Sequence, residues 1–162
     1  MTLAQLDAAS TDEAFAAFAR CCGSRRWAEG MTAARPFANA DAMTVTGDVI
    51  WAALDRADWL EAFAAHPRIG DARASGDAAT EQAGAADGDA DADVKRRLAE
   101  RNRDYENRFG YIFIVCATGR SASQMLAMLE CRLSNDPGRE LSIAAAEQRQ
   151  ITRLRLAKLL DR

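Results

Sequence analysis

Histidine and lysine are scarce in this sequence of 162 residues, which contains one histidine, His66, and two lysines. A single imidazole cannot build a zinc site of several histidines, and we predict no metal site elsewhere in the chain. Any acid–base role for histidine near neutral pH therefore falls on His66. The four cysteines, Cys21, Cys22, Cys116 and Cys131, lack the CxxC spacing of zinc and redox motifs, so we expect reduced thiols.

A basic excess and a long apolar run are also missing. Lys and Arg number 21 against 24 Asp and Glu, a net charge of −3, whereas domains that bind nucleic acid or anionic membranes usually carry surplus positive charge. The best apolar run, Tyr111 to Ala117, is far shorter than the ~20 residues of a membrane-spanning helix. The sequence shows no charged leader before an apolar stretch and no peroxisomal address at its end. We therefore expect a soluble, cytoplasmic protein that binds neither nucleic acid nor membrane.

Helical signals are present along most of the chain. Alanine, the residue with the highest helix propensity, is abundant. Residues that cap or break helices recur at Ser10, Gly23, Ser24, Pro36, Asp55, Pro67, Gly110, Ser121 or Ser123, and Pro137. At roughly 150 residues per domain, the length corresponds to one domain, residues 1–162. We predict an all-α, single-domain bundle of about seven to eight helices.

Two segments depart from the helical pattern. Residues 71–93 are rich in Ala, Gly and Asp and lack large apolar side chains, which predicts a mobile, solvated loop. Residues 111–117 are β-branched and aromatic without a helical period, which favours an extended backbone. Because a lone strand would have no partner elsewhere in the sequence, we predict a buried connector there.

The last predicted helix, about Glu140 to Leu160, directs two polar side chains towards its apolar face. At about 100° per residue, Gln148 and Arg155 share this inner face, whereas Arg139, Arg149 and Arg153 point outward. A buried arginine needs a partner, which is either a carboxylate of another helix or an anionic ligand that the guanidinium grips through two hydrogen bonds. The pattern alone leaves both alternatives open.

His66 and the pair Glu81-Gln82 are further candidates. His66 follows the buried side of a helix that carries Trp59 and Phe63, and it lies where that helix ends, so it is either a core residue or a group that reaches a cavity. Glu81 offers an acceptor and Gln82 both a donor and an acceptor, which suits a urea-like or imide-like ligand. In an acidic loop, the same pair is also typical of solvated surface.

Taken in order, several segments resemble one family, the OHCU (2-oxo-4-hydroxy-4-carboxy-5-ureidoimidazoline) decarboxylases of urate breakdown. The segments are Cys22–Glu29, Arg35-Pro36-Phe37, His66-Pro67-Arg68-Ile69-Gly70, Glu81-Gln82, Asn102 with Tyr105, Phe109–Ala117 and Leu154-Arg155-Leu156. The resemblance covers nearly the whole chain, from about Phe15 to Leu160. It departs from the family at Ala78, where serine is common, and at Ile112, where proline is common.

The resemblance implies an all-helical enzyme that needs no cofactor and converts OHCU to (S)-allantoin and CO2. It places the proton donor on His66. On chemical grounds, Glu81 then either orients or charges the imidazole or binds ring NH groups of the substrate. The resemblance also assigns substrate binding to Pro67, Ala78, Ala79, Thr80, Glu81, Gln82, Phe113, Ile114, Val115, Cys116, Ala117 and Arg155. Backbone groups of Ile114 to Ala117 are then expected to be open to the planar ligand. The expected partners are urate oxidase and 5-hydroxyisourate hydrolase as neighbours in the pathway, and a second copy of the chain.

Two other function classes fit the same residues. A helical interaction domain would use His66, Glu81 and Arg155 as a structural buried network. A hydrolase of a related ureido compound would turn over substrate without releasing CO2, although the sequence offers no nucleophile or metal site for it.

Overall fold

The computed structural model describes residues 1–70 and 92–160, and within these ranges the chain forms eight α-helices and no strand. The helices are α1 (Leu3–Ala8), α2 (Thr11–Cys21), α3 (Arg25–Ala33), α4 (Ala40–Ala53), α5 (Arg56–Ala64), α6 (Ala92–Phe109), α7 (Ala122–Arg132) and α8 (Pro137–Leu160). The predicted all-α class is confirmed. In the described part of the chain, no helix is both long enough and apolar enough to cross a membrane.

Side-chain caps fix the starts of these helices where the sequence predicts them. Ser10 and Glu13 form a reciprocal capping box at α2, in which each side chain accepts from the other residue's backbone N–H. The Ser24 hydroxyl accepts from the amide of Trp27, and Ser121 forms a capping box at α7. Each cap satisfies backbone donors that the first helical turn leaves without partners.

Three boundaries differ from the sequence-based expectation. Helix α1 was not predicted, and α6 begins at Ala92, inside the segment predicted as loop. The remainder of that predicted loop, residues 71–91, lies outside the described residues. Helix α8 begins at Pro137 rather than near Glu140. The Asp136 carboxylate caps it by accepting from the amides of Gly138 and Arg139. Proline suits the first helical position because the N–H that it lacks would have no partner there.

The chain divides into two compact units, residues 1–65 with 149–162, and residues 66–148. A single domain over residues 1–162 therefore stays a prediction. The first unit has a core around Phe18, Trp27 and Met31, in which the Trp27 indole donates to the Gly47 carbonyl over 2.9 Å. In the second unit, buried side chains of α6 and α7 pack with those of Phe113, Val115 and Ala117.

Residues 111–117 belong to neither a helix nor a strand, and the segment is buried from Phe113 to Ala117. The predicted buried connector is confirmed. The segment follows Gly110, whose φ of +81° ends α6 in a conformation that side chains with a Cβ disfavour.

Gly23 shows why the link between α2 and α3 requires glycine. A Cβ at this position would lie 2.4 Å from the Cβ of Ala65, with no flexible side chain able to yield. We expect Gly23→Ala to lower the free energy of unfolding by about 1–3 kcal/mol, as overpacking does, measured by urea denaturation. Adding Ala65→Gly should recover most of this loss, and equal stability of Gly23→Ala and the wild type would contradict the steric explanation.

Candidate active site

His66 and Gln148 meet in the second unit. His66 lies just beyond the end of α5 and is half-buried, and its Nε2 is 2.7 Å from Oε1 of Gln148 on α8. Gln148 is 0 % exposed, so its predicted inward direction is confirmed. An amide oxygen only accepts hydrogen bonds, so the contact is a hydrogen bond when Nε2 of His66 carries a proton.

The residues after His66 are bound to α6. Pro67 is half-buried, the guanidinium of Arg68 forms two hydrogen bonds of 2.8 Å to the Glu106 carboxylate, and the buried Asn102 amide donates to the Ile69 carbonyl over 3.3 Å. The motif residues after His66 therefore anchor the segment that carries the imidazole.

The connector is held from two sides. The backbone N–H of Cys116 donates to Oε2 of Glu147 over 2.7 Å, and Nη1 of Arg132 donates to the Ile114 carbonyl over 2.8 Å. The expectation that backbone groups here are open to a ligand is wrong for the N–H of Cys116, whose one proton is bound by Glu147 of α8, and Arg132 of α7 takes one of the two acceptor sites of the Ile114 carbonyl. Sequence reasoning missed this because long polar side chains from distant helices replace the absent strand partners.

A buried charged network in the second unit was also missed. Glu140 is 0 % exposed and accepts from Nε of Arg132 at 2.7 Å, from the Tyr105 hydroxyl at 2.6 Å and from the Asn135 amide at 2.9 Å. Burial and, secondarily, the hydrogen bond to Glu140 raise the pKa of Tyr105, so its hydroxyl keeps its proton and donates. The Arg132 guanidinium lies 4.5 Å from the centre of the Phe113 ring. The helical period could have indicated that Arg132 is buried, because it follows Leu129 by three and Met125 by seven residues on an apolar helical stripe.

Arg155 lies in the first unit, half-buried on α8, while Arg139, Arg149 and Arg153 are exposed as predicted. Its positive charge acts on Cys22, whose thiol is 0 % exposed. Burial raises the pKa of this thiol to about 11, opposed in part by hydrogen bonds with Ser24 and Thr152 and by the charge of Arg155. In these surroundings the Cys22 thiol stays protonated and unreactive, which agrees with the absence of a predicted cysteine nucleophile in the sequence.

We expect thiol reagents to distinguish the cysteines sharply. Cys21, Cys22 and Cys116 are buried and Cys131 is exposed. A pKa that rises from 9.0 to about 11 lowers the thiolate fraction of Cys22 about a hundredfold at pH 8. Ellman's reagent should therefore modify one thiol quickly in the native protein and all four in denaturant. Cys131→Ser should remove the fast phase, and fast modification of a second thiol would contradict the described burial.

The remaining predicted site residues cannot be placed. Ala78, Ala79, Thr80, Glu81 and Gln82 lie outside the described residues. Within residues 1–70 and 92–160, no group of three or more His, Cys, Asp or Glu side chains is arranged to hold a metal ion.

Comparison with known proteins gives one family. The family model described as OHCU decarboxylase matches residues 7–157. The chain is 40% identical over 151 residues to the uric acid degradation bifunctional protein TTL of Arabidopsis thaliana, covering 87% of this chain and 45% of that protein. It is 26% identical to the 2-oxo-4-hydroxy-4-carboxy-5-ureidoimidazoline decarboxylase of Haloferax volcanii, covering 98% of this chain and 95% of that protein.

A solved structure agrees with these matches. The crystal structure of an OHCU decarboxylase in the presence of (S)-allantoin superposes with a TM-score of 0.82 at 38% identity, covering 95% of this chain and all of that one. The chain spans less than half the length of the first curated relatives it matches, at 45%, 41% and 27%. Because the family model matches residues 7–157 and the helical fold agrees with that of a solved member, the chain belongs to the OHCU decarboxylase family.

Proposed function

We propose that this protein decarboxylates OHCU to (S)-allantoin and CO2, with His66 as the proton donor. The observation that carries the proposal is His66 itself. The chain's one histidine lies in the motif that the resemblance assigns to catalysis, and its imidazole is half-buried against a buried amide. An imidazole held in such a position suits a role that requires a proton to be held and released near neutral pH.

The substrate's own structure makes this chemistry accessible to a few side chains. When the bond to the carboxylate breaks, CO2 leaves and its electron pair forms a C=C bond to the ureido-bearing carbon, while the C=N electrons move to the ring nitrogen, which takes up a proton. The imidazolium of His66 then delivers one proton to the ureido-bearing carbon of this enol, and the hydroxyl gives up its proton to become the carbonyl of allantoin. Delivery from one face gives the (S) product. The protein's task is therefore to orient the substrate and to supply that proton.

Substrate binding is proposed for the remaining residues of the resemblance. Glu81 and Gln82 suit the ring NH, carbonyl and ureido groups, and Arg155 suits a carboxylate or carbonyl oxygen. Arg155 should not grip the departing carboxylate too strongly, because that would stabilise the ground state and slow the reaction. Residues 113–117 contribute a buried, largely apolar wall, with Ile114 O and Cys116 N–H already bonded to the protein.

The partners also belong to this proposal. The Arabidopsis relative is named a bifunctional protein of uric acid degradation, and this chain spans 45% of it. We therefore propose that the protein is functionally coupled to urate oxidase and 5-hydroxyisourate hydrolase. A homodimer is proposed on the family resemblance alone.

A coupled assay tests the function. Urate, urate oxidase and 5-hydroxyisourate hydrolase generate OHCU in the cuvette, and circular dichroism follows the chiral product. We expect the protein to accelerate formation of (S)-allantoin beyond spontaneous decay, which gives a racemate, and CO2 to appear in equal amount. No acceleration by folded protein would favour the interaction domain, and turnover without CO2 would favour a hydrolase.

A further inference from the structure

We propose that Gln148 is a positioning residue for His66: its side-chain amide holds the imidazole in one orientation and in the Nε2–H tautomer. The proton that the imidazolium gives up is then the one on Nδ1. This inference deepens the proposed function and rests on the role of His66 as proton donor.

The first argument is the fixed position of the acceptor. Gln148 lies near the middle of the 24-residue helix α8, where fraying of the ends has little effect, and it is 0 % exposed. Its neighbours on the inner face, Ala144, Ala145 and Ile151, are buried as well. The amide oxygen is therefore presented by a packed helix, and it lies 2.7 Å from Nε2 of His66.

The second argument concerns the protonation state of the ring. A neutral imidazole carries one proton, on either nitrogen, and the hydrogen bond made by one nitrogen decides which. The Gln148 oxygen accepts but cannot donate, so it favours the proton on Nε2. Protonation of this tautomer adds the second proton at Nδ1, and returning to it removes the proton from Nδ1.

The third argument is that neighbouring features restrain the same region. Pro67 restricts the backbone of the preceding residue, His66, so backbone and ring are both restrained. Glu147, next to Gln148 on α8, accepts from the backbone N–H of Cys116. Two consecutive residues of one helix thus contact the imidazole and the connector, both of which the resemblance assigns to the site.

Because His66 is the chain's one histidine, the tautomer can be read without resonance assignment. The full chain labelled with ring-15N histidine gives one pair of ring nitrogen signals. Above the pH at which the ring becomes neutral, we expect the proton on Nε2 and the far-downfield shift of an unprotonated nitrogen at Nδ1. A neutral ring protonated mainly at Nδ1, or an even mixture, would overturn the inference.

Variants of Gln148 test whether its amide sets the tautomer of His66. Gln148→Met keeps the length of the side chain but removes the amide, and we expect a mixture of tautomers and a fall in kcat of about 10²-fold, with a smaller change in KM. Gln148→Glu keeps an acceptor and should restore the Nε2–H signature. Gln150→Met, at an exposed position on the same helix, is the matched control and should change neither property.

The outcomes separate this inference from the proposed function. An Nε2–H ring that becomes mixed in Gln148→Met supports the positioning role even if no decarboxylation is found, in which case the proposed function fails alone. Decarboxylation by a protein whose ring is protonated at Nδ1, or a Gln148→Met variant with unchanged tautomer and turnover, overturns the positioning role alone.

Discussion

Replacing His66 with glutamine is expected to slow the formation of (S)-allantoin by about 10²–10⁴-fold, the usual contribution of a positioned general acid. The amide of the variant offers a donor towards Gln148 but no proton that it can give up near neutral pH. The remaining conversion should be the spontaneous one, so the product should lose its circular dichroism as well as its rate. Loss of chirality is the sharper signature, because it does not depend on how fast OHCU decays unaided.

Thermal melts complete the test. His66 is half-buried at the end of α5, so we expect the melting temperatures of His66→Gln and His66→Ala to stay close to that of the wild type. Unfolding of both variants would show that His66 is structural, as the interaction-domain alternative holds. A His66→Gln variant that still makes (S)-allantoin quickly would contradict the role of His66 as proton donor.

The largest effect on stability is expected from the buried pair Arg132–Glu140. Arg132→Leu leaves the Glu140 carboxylate, 0 % exposed, without its counter-charge. Removing one partner of a buried ion pair costs about 3–5 kcal/mol of unfolding free energy. For a chain of this size, this corresponds to a fall in melting temperature of roughly 6–20 °C, measured by calorimetry or circular dichroism.

Two further variants serve as controls for this measurement. The double variant Arg132→Leu/Glu140→Leu buries no charge and should recover part of the loss, incompletely because Tyr105 and Asn135 lose their acceptor. Arg96→Leu breaks exposed ion pairs with Asp93 and Glu100 on α6 and should lower stability far less, because solvent screens exposed charges. If Arg132→Leu costs no more than Arg96→Leu, the buried pair does not stabilise the fold.

The buried pair Arg132–Glu140 also supports the connector. Arg132 donates to the Ile114 carbonyl and lies against Phe113, so it supports the connector directly. The connector is buried without strand partners, and side chains of α7 and α8 satisfy part of its hydrogen-bonding capacity. A backbone group left buried without such a partner would be costly.

Much of the fold could be predicted from local rules. Helix starts are marked by Ser10, Ser24, Asp55 and Ser121, because each side chain accepts from the backbone N–H three residues ahead, so that the interaction depends only on nearby sequence. The inner face of α8 could be predicted for the same reason, since its period depends on the helix alone.

What depends on residues far apart in the chain could not be predicted in this way. His66 and Gln148 are separated by 82 positions, and Tyr105 and Glu140 by 35. Arg132 and Glu140 are close in sequence, but a turn lies between them, and their pairing depends on how the helices on either side pack. Nothing in the local sequence specifies these partners.

The sequence by itself determined the helical class, the helix caps, the buried connector and the family resemblance centred on the lone histidine, because these follow from local propensity, periodicity and ordered motifs. Only the tertiary structure decided which nitrogen of His66 lies against Gln148, which backbone groups of the connector are already bonded, and that Arg132 rather than Arg155 forms the buried pair with Glu140. The physical reason is that hydrogen bonds and ion pairs require two groups within about 3–4 Å, and packing brings distant residues to that separation.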